Sequence, residues 1–185
     1  MKRSRRWLGR ALALVVFLLV VCAGVVLWWE SLFNWQGPYT LAEAAEANLP
    51  LPFHYPDPDS AYGSLDVAYR YMDWGDELEL VTTFLAPNAT GAVVRVAELR
   101  TAPLGGPPGD DLRDIVTITW AREGRGRACG VHLMASENPV AEPAFTACVW
   151  FWADTDRLDY TLYTIWTTEE TVNLANALIR YEEAE

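Results

Sequence analysis

Residues 65–84, LDVAYRYMDWGDELELVTTF, decide the fold class of this chain. Leu65, Val67, Tyr69 and Tyr71 alternate with Asp66, Ala68 and Arg70, the period-2 pattern of a strand with one buried face. The return leg repeats it: Leu78, Leu80, Thr82 and Phe84 alternate with Glu79, Val81 and Thr83. Between the legs, Asp73-Trp74-Gly75-Asp76 has hairpin-turn chemistry. Two strands joined this tightly make an antiparallel sheet the framework, and the flanking sequence must supply what packs on it.

Downstream, Ala92 to Leu99 fits a strand or a short helix by periodicity, and Val93, Val94 and Val96 favour a strand. Leu104 to Asp111 is a loop punctuated by Gly105-Gly106-Pro107-Pro108-Gly109. Ile115 to Ala121 and Arg127 to Met134 are strand candidates around the turn Arg122-Glu123-Gly124-Arg125-Gly126, whose glycines suit positive φ. Thr146 to Ala153 and Leu158 to Trp166 flank a second turn, Asp154-Thr155-Asp156-Arg157. The chain closes with a helix: Thr167 and Glu170 form a capping box, Val172, Leu174, Ala175, Leu178 and Ile179 form its apolar face, and Arg180 lies in the last turn. Upstream, Leu51 to Ser60 holds three prolines and reads as a loop with Phe53 and Tyr55 tucked against the domain. Before it, Thr40 and Glu43 cap a short helix carrying Leu41, Ala44, Ala45 and Ala47, which Pro50 ends.

No residue from Ala11 to Trp29 is charged. Nineteen residues at ~1.5 Å each span roughly 28 Å, close to a bilayer core of ~30 Å. Lys2, Arg3, Arg5, Arg6 and Arg10 precede the run, which places the N-terminus in the cytoplasm and everything after Glu30 outside. A cleavage-like site at Val21-Cys22-Ala23 is outweighed by an apolar run that continues to Trp28-Trp29, so an uncleaved anchor is expected. Trp7 on one flank and Trp28, Trp29 and Trp35 on the other suit the headgroup level. Cys22 follows Leu19-Val20-Val21, but Val21 is large where a lipid-modified cysteine needs a small neighbour, so Cys22 reads as a lipid-facing side chain. The expected class is therefore α+β: an N-terminal transmembrane helix, then an antiparallel sheet of five to seven strands packed by a C-terminal helix. The expected boundaries are a basic cytoplasmic tail at 1–10, the span at 11–29, a tether at 30–39, an extracytoplasmic domain at 40–181 and a disordered tail at 182–185.

From Glu30 onward nine basic residues stand against 25 acidic ones, a balance of −16. That excludes nucleic acid and anionic lipid surfaces as partners of this domain, since both need clustered positive charge. Two cysteines remain outside, Cys129 and Cys148, in a compartment that permits oxidation, and a disulfide is the default reading. A closed loop of about nineteen residues gives a stabilisation of ~3 kcal/mol in the chain-entropy model. The alternative is a metal site from Cys129, His132 at C-x-x-H spacing, and Cys148, although a second closely spaced ligand pair is missing.

Catalytic chemistry finds little to work with. His54 and His132 are the imidazoles, no G-x-S-x-G or S-x-x-K arrangement occurs, and Lys2 is the sole lysine. His54 reads as a surface or capping residue, and His132 as a satisfied sheet residue. Asp154, Asp156 and Asp159 cluster at a turn but lack the oxygen-ligand framework of a calcium loop. Gly105-Gly106 and Gly124-x-Gly126 lead into no helix start that would bind phosphate. No catalytic residue, metal or cofactor is therefore expected. Arg122, Arg125 and Arg127 are the basic concentration on an acidic domain and read first as an exposed turn whose charges pair with surrounding acids; the alternative is that they hold a carboxylate-bearing ligand or an acidic partner through charge-assisted bonds. Alternation places Trp150 and Trp152 on one face with Cys148, as core residues. Trp74, in a turn, is the candidate exposed contact tryptophan. Trp74, Arg122, Arg125 and Arg127 are thus the candidate binding residues.

The segment with Cys129-Gly130, Cys148-Val149-Trp150, Ala153-Asp154 and a closing helix with Ala175 and Arg180 resembles a group of uncharacterised actinobacterial single-pass membrane-anchored proteins. Their pattern has a Cys-Gly pair, a later Cys-x-Trp-Ala-Asp and a final helix; here Phe151 and Trp152 intervene between Trp150 and Ala153. The resemblance covers the last third of the chain and implies a Cys129–Cys148 disulfide and no activity. A second likeness, on Thr40 to Pro52 and the final strand and helix, is to exported domains attached to anti-sigma factors. Six to ten cytoplasmic residues are too few to fold a sigma-binding domain, so that regulatory role is not expected.

These readings point to a membrane-anchored extracytoplasmic binding or accessory module of the bacterial cell envelope, with a protein partner there. One alternative is an envelope enzyme using carboxylates such as Asp154 and Asp156. Another is a structural subunit of a membrane complex, for which Gly9 and Ala13 supply small-residue spacing in the anchor.

Overall fold

The 65–84 hairpin lies within a larger antiparallel sheet. The computed structural model describes residues 35–74, 77–103, 112–130, 144–153 and 157–181, with 15, 21 and 22. The span expected over 11–29, the loop at 104–111, His132, Asp154, Asp156 and the tail after Tyr181 lie outside the described residues, save for helical Val15, Val21 and Cys22. Among the described residues no helix is long and apolar enough to cross a membrane. The chain divides into two units, residues 1–34 and 35–185, and the sheet and its two helices belong to the second.

In chain order the elements are β1 (Trp35–Tyr39), α1 (Leu41–Ala47), β2 (His54–Pro56), β3 (Asp66–Trp74), β4 (Glu77–Pro87), β5 (Val93–Pro103), β6 (Leu112–Thr117), β7 (Arg125–Cys129), β8 (Ala147–Trp152), β9 (Leu158–Thr164), α2 (Thr168–Asn176) and β10 (Leu178–Arg180). Eight strands form one sheet in the order β1-β3-β4-β5-β9-β8-β7-β6, and β10 pairs with β2 in a separate ribbon. Each half of the sheet runs from an edge to the centre, and the halves meet where β5 pairs with β9. The class is α+β as expected, with more strands than the five to seven predicted.

Register explains the core. Tyr69, Thr82, Leu99, Leu162, Val149 and Ala128 lie abreast on six successive strands, and all are buried. Because side chains alternate across a strand, their neighbours face the other way. On the first face Phe84, Tyr160 and Phe151 join Ala44 of α1 and Leu174 and Ala175 of α2 in one cluster. Burying each large apolar side chain there contributes about 1.5–3 kcal/mol. The opposite face carries a smaller cluster of Cys129, Cys148 and Trp150, with Leu112, Trp152 and Tyr163 packed on it.

Both capping boxes form. Thr167 Oγ1 accepts from Glu170 N at 3.2 Å, and the Glu170 carboxylate accepts from Thr167 N at 2.9 Å. Thr40 and Glu43 do the same for α1. Replacing Thr167 by Ala is expected to cost about 1 kcal/mol, read from the urea midpoint.

Several segments depart from the sequence pattern: β6 ends at Thr117, so that residues 118–121, expected as strand, form a turn, and β7 begins at Arg125, inside the expected turn. Residues 35–39, expected as tether, form edge strand β1. The proline-rich loop contains β2, because its partner strand arrives from the far end of the chain. The C-terminal helix stops at Asn176, short of Leu178, Ile179 and Arg180, which form β10. Asn176 accepts from Thr119 N at 2.7 Å and donates to Thr117 O at 3.1 Å, while Trp120 Nε1 donates to Ala175 O at 2.7 Å. These bonds occupy the last helical turn, and pairing of Ile179 with Tyr55 replaces further turns.

Candidate functional site

The open face of β6, β7 and β8 is ordered by one covalent link. Cys129 and Cys148 are directly opposite each other, with Cα atoms 5.0 Å apart, and are joined as a disulfide. The alternative use of these two sulfurs as metal ligands with His132 is thereby displaced. Replacing both cysteines by Ala is expected to cost ~3 kcal/mol, measurable as a lowered denaturation midpoint.

That register brings Ile115, Arg127 and Trp150 abreast on the same face. Arg125, two residues before Arg127, shares it and lies opposite Thr117. Trp152 follows Trp150 by two residues, and the two rings meet edge to face at 4.7 Å. A groove of about 170 Å³ results, lined by Ile115, Arg125, Arg127, Trp150 and Trp152, with Arg122 and Glu123 at the preceding turn.

The turn and the floor depend on two glycines. Glu123 and Gly124 both have positive φ, 56° and 64°, which lets the chain reverse tightly from β6 into β7. At Gly126 an added Cβ would lie 3.0 Å from Ile118 Cγ1, 3.1 Å from Trp150 O and 3.2 Å from Phe151 Cβ. Glycine there lets β8 approach, so Gly126→Ala is expected to cost about 1–3 kcal/mol in urea unfolding by overpacking.

Arg125 and Arg127 are exposed, and neither makes an ion pair with a described residue. The reading in which all three arginines pair with nearby acids does not hold for these two. Beside them Ile115 is 61 % exposed, unusual for an isoleucine on a strand. Trp150 is 4 % exposed, and its indole N–H has no acceptor. Trp74 ends β3, with β4, β5, β9 and β8 between that strand and β7, so it is not part of this groove. Its side chain lies outside what is described.

Two polar sites were missed or misplaced by sequence patterning. His54 is not at the surface: it is buried in the first face, stacked on Trp120 at 4.9 Å and edge-on to Tyr160 at 5.2 Å. Burial first, and then the nearby Arg180 charge, push its pKa down to about 3. On the open face the Glu98 carboxylate, 4 % exposed, is split between Arg95 at 2.9 Å and Arg100 at 2.8 Å. Arg100 also approaches Glu79 at 3.6 Å, and the guanidiniums of Arg95 and Arg100 lie over the rings of Phe145 and Tyr163. Burial works against the Arg100 charge, and Glu98 and Glu79 outweigh it, so its pKa is raised.

Asp159 is on β9 opposite Trp152, while Asp154 and Asp156 lie outside the described residues. Among the described residues no three His, Cys, Asp or Glu side chains gather as a metal site. What the groove can do chemically is hold an anion beside apolar surface, through charge-assisted hydrogen bonds from exposed guanidiniums. No protein-family model matches the chain, and neither the curated proteins nor the solved structures give a match.

Proposed function

We propose that this protein is a membrane-anchored extracytoplasmic binding or accessory module of the bacterial cell envelope, and that the β6–β8 groove is its contact surface. It would then be similar to the actinobacterial single-pass proteins with a Cys-Gly and Cys-x-Trp pattern. The observation that carries the reading is the pairing of Arg125 and Arg127, exposed and unengaged, with apolar walls on a domain that is otherwise strongly acidic. Maintaining two unpaired cations beside an exposed isoleucine has no use in packing, and interfaces favour arginine and tryptophan together.

The test is site-specific photo-crosslinking from position 115 in the full-length protein in its native membrane, with the adduct identified by mass spectrometry. One stoichiometric protein adduct is expected, and it should vanish in an Arg125→Glu, Arg127→Glu variant. Adducts with lipid alone, or an adduct indifferent to the two arginines, would overturn the reading. For the anchor, alkaline extraction should leave the protein in the membrane at full mass; a mature chain starting near Gly24 would sink it.

A further inference from the structure

Resting on that reading of the groove, we infer that it takes an acidic peptide segment of a partner protein in extended conformation, with carboxylates two residues apart engaged by Arg125 and Arg127. The floor is β7, and residues two apart on a strand present their side chains on one face about 6.6–6.8 Å apart. A second extended chain laid along β7 presents alternate side chains at the same interval, so two glutamates meet two guanidiniums without either strand bending. The fork of an arginine matches a carboxylate in bidentate geometry.

The walls favour the same ligand. Ile115 and Trp152 stand on either side of the arginines and offer apolar surface to the methylene groups of glutamate. Removing water around the charges strengthens each charge-assisted bond. Glu123 is the one carboxylate in the lining, at the turn, and it disfavours a further acid at that end. Charge complementarity therefore selects an acidic strand over a basic or neutral one, and the alternating spacing selects an extended one.

The experiment uses the full-length protein in nanodiscs of zwitterionic lipid and a fluorescein-labelled peptide, Glu-Val-Glu-Val-Glu, read by anisotropy. Saturable binding is expected at low ionic strength, weakening as salt rises. The Gln-Val-Gln-Val-Gln peptide should not bind, and the isomer Glu-Glu-Val-Val-Glu, in which no two glutamates are two residues apart, should bind at least fivefold more weakly. Arg125→Gln with Arg127→Gln should lose at least tenfold, with the unfolding midpoint unchanged because both side chains are exposed. Arg70→Gln, on the same face but on β3, should leave binding intact. No binding of the alternating peptide, or binding indifferent to the double variant, overturns the inference. Equal binding of the isomer overturns the extended spacing, and displacement by an equal concentration of inorganic phosphate overturns a peptide in favour of a small anion. If the photo-adduct at position 115 forms while no acidic peptide binds, the ligand class is wrong and the binding-module reading stands. If neither occurs, both fall.

Discussion

Replacing Arg95 and Arg100 together by Met is expected to cost about 3–5 kcal/mol, because it strands the Glu98 carboxylate on the sheet with no partner. Glu98 is 4 % exposed on its side chain, whereas Arg95 and Arg100 are 26 % and 41 % exposed, so the burden of burial falls on the acid. Removing the acid instead, by Glu98→Gln, leaves two guanidiniums that water reaches, and the loss should be smaller than that of the double variant. The triple variant, with Glu98→Leu added to the two methionines, should recover most of the lost stability, since apolar groups of similar volume can replace a buried ion cluster at little cost. Urea unfolding of the four proteins measures all three differences. For a chain of this size the double variant should melt about 6–20 °C lower. If it unfolds within 1 kcal/mol of the parent, the cluster contributes nothing.

Acidification should expose the second large effect. His54 has an unperturbed pKa of about 6.5 in the unfolded chain, while in the fold burial, with Arg180 in support, holds it down to about 3. The unfolded state therefore binds the proton first. Stability is complete above pH 6.5 and falls as the pH drops toward 3, by about 1.4 kcal/mol per unit for this one group. His54→Phe keeps an aromatic ring between Trp120 and Tyr160 and removes the titration. The stability of that variant relative to the parent should thus rise with this slope between pH 6 and pH 4. A difference independent of pH would mean that the imidazole protonates freely in the folded state.

The pattern of residues 65–84 announced β3 and β4 because alternation is a local signal, and the capping boxes at Thr40 and Thr167 announced both helices for the same reason. β2 and β10 were hidden because each is three residues long and exists through the other, more than a hundred positions away. His54 was misread for that reason: only the ribbon carries it under Trp120 and onto Tyr160. The arginines were found as a charge cluster, yet their walls were not. Trp150 becomes a neighbour of Arg127 once Cys129 is known to face Cys148 and two residues are counted along each strand, whereas Ile115 reaches Arg127 only through the register shift between Leu112 and Ile115. Trp74 stands out by its place in a turn, which says nothing of the strands that separate it from β7. The Glu98 cluster was overlooked because Arg95, Glu98 and Arg100 do not share a simple alternation. Between Phe84 and Leu85 the pairing of β4 with β5 shifts, so that Leu85 lies opposite Arg95 and Phe84 opposite Ala97.

The seam between the two halves bears on how the chain reaches this state. The first half can assemble from neighbouring segments, β3 with β4 and β4 with β5, as soon as residue 103 is available. Its innermost strand, β5, then has one hydrogen-bonding edge open until β9 arrives to pair Ala97 with Thr164. Pairing so distant in sequence is slow, and an open strand edge is where chains stick to one another. β5 carries Val94, Val96 and Leu99, all buried at the end. Aggregation during refolding should therefore start at Val93–Pro103, and a truncation that removes β9 should precipitate rather than persist as a soluble half-domain.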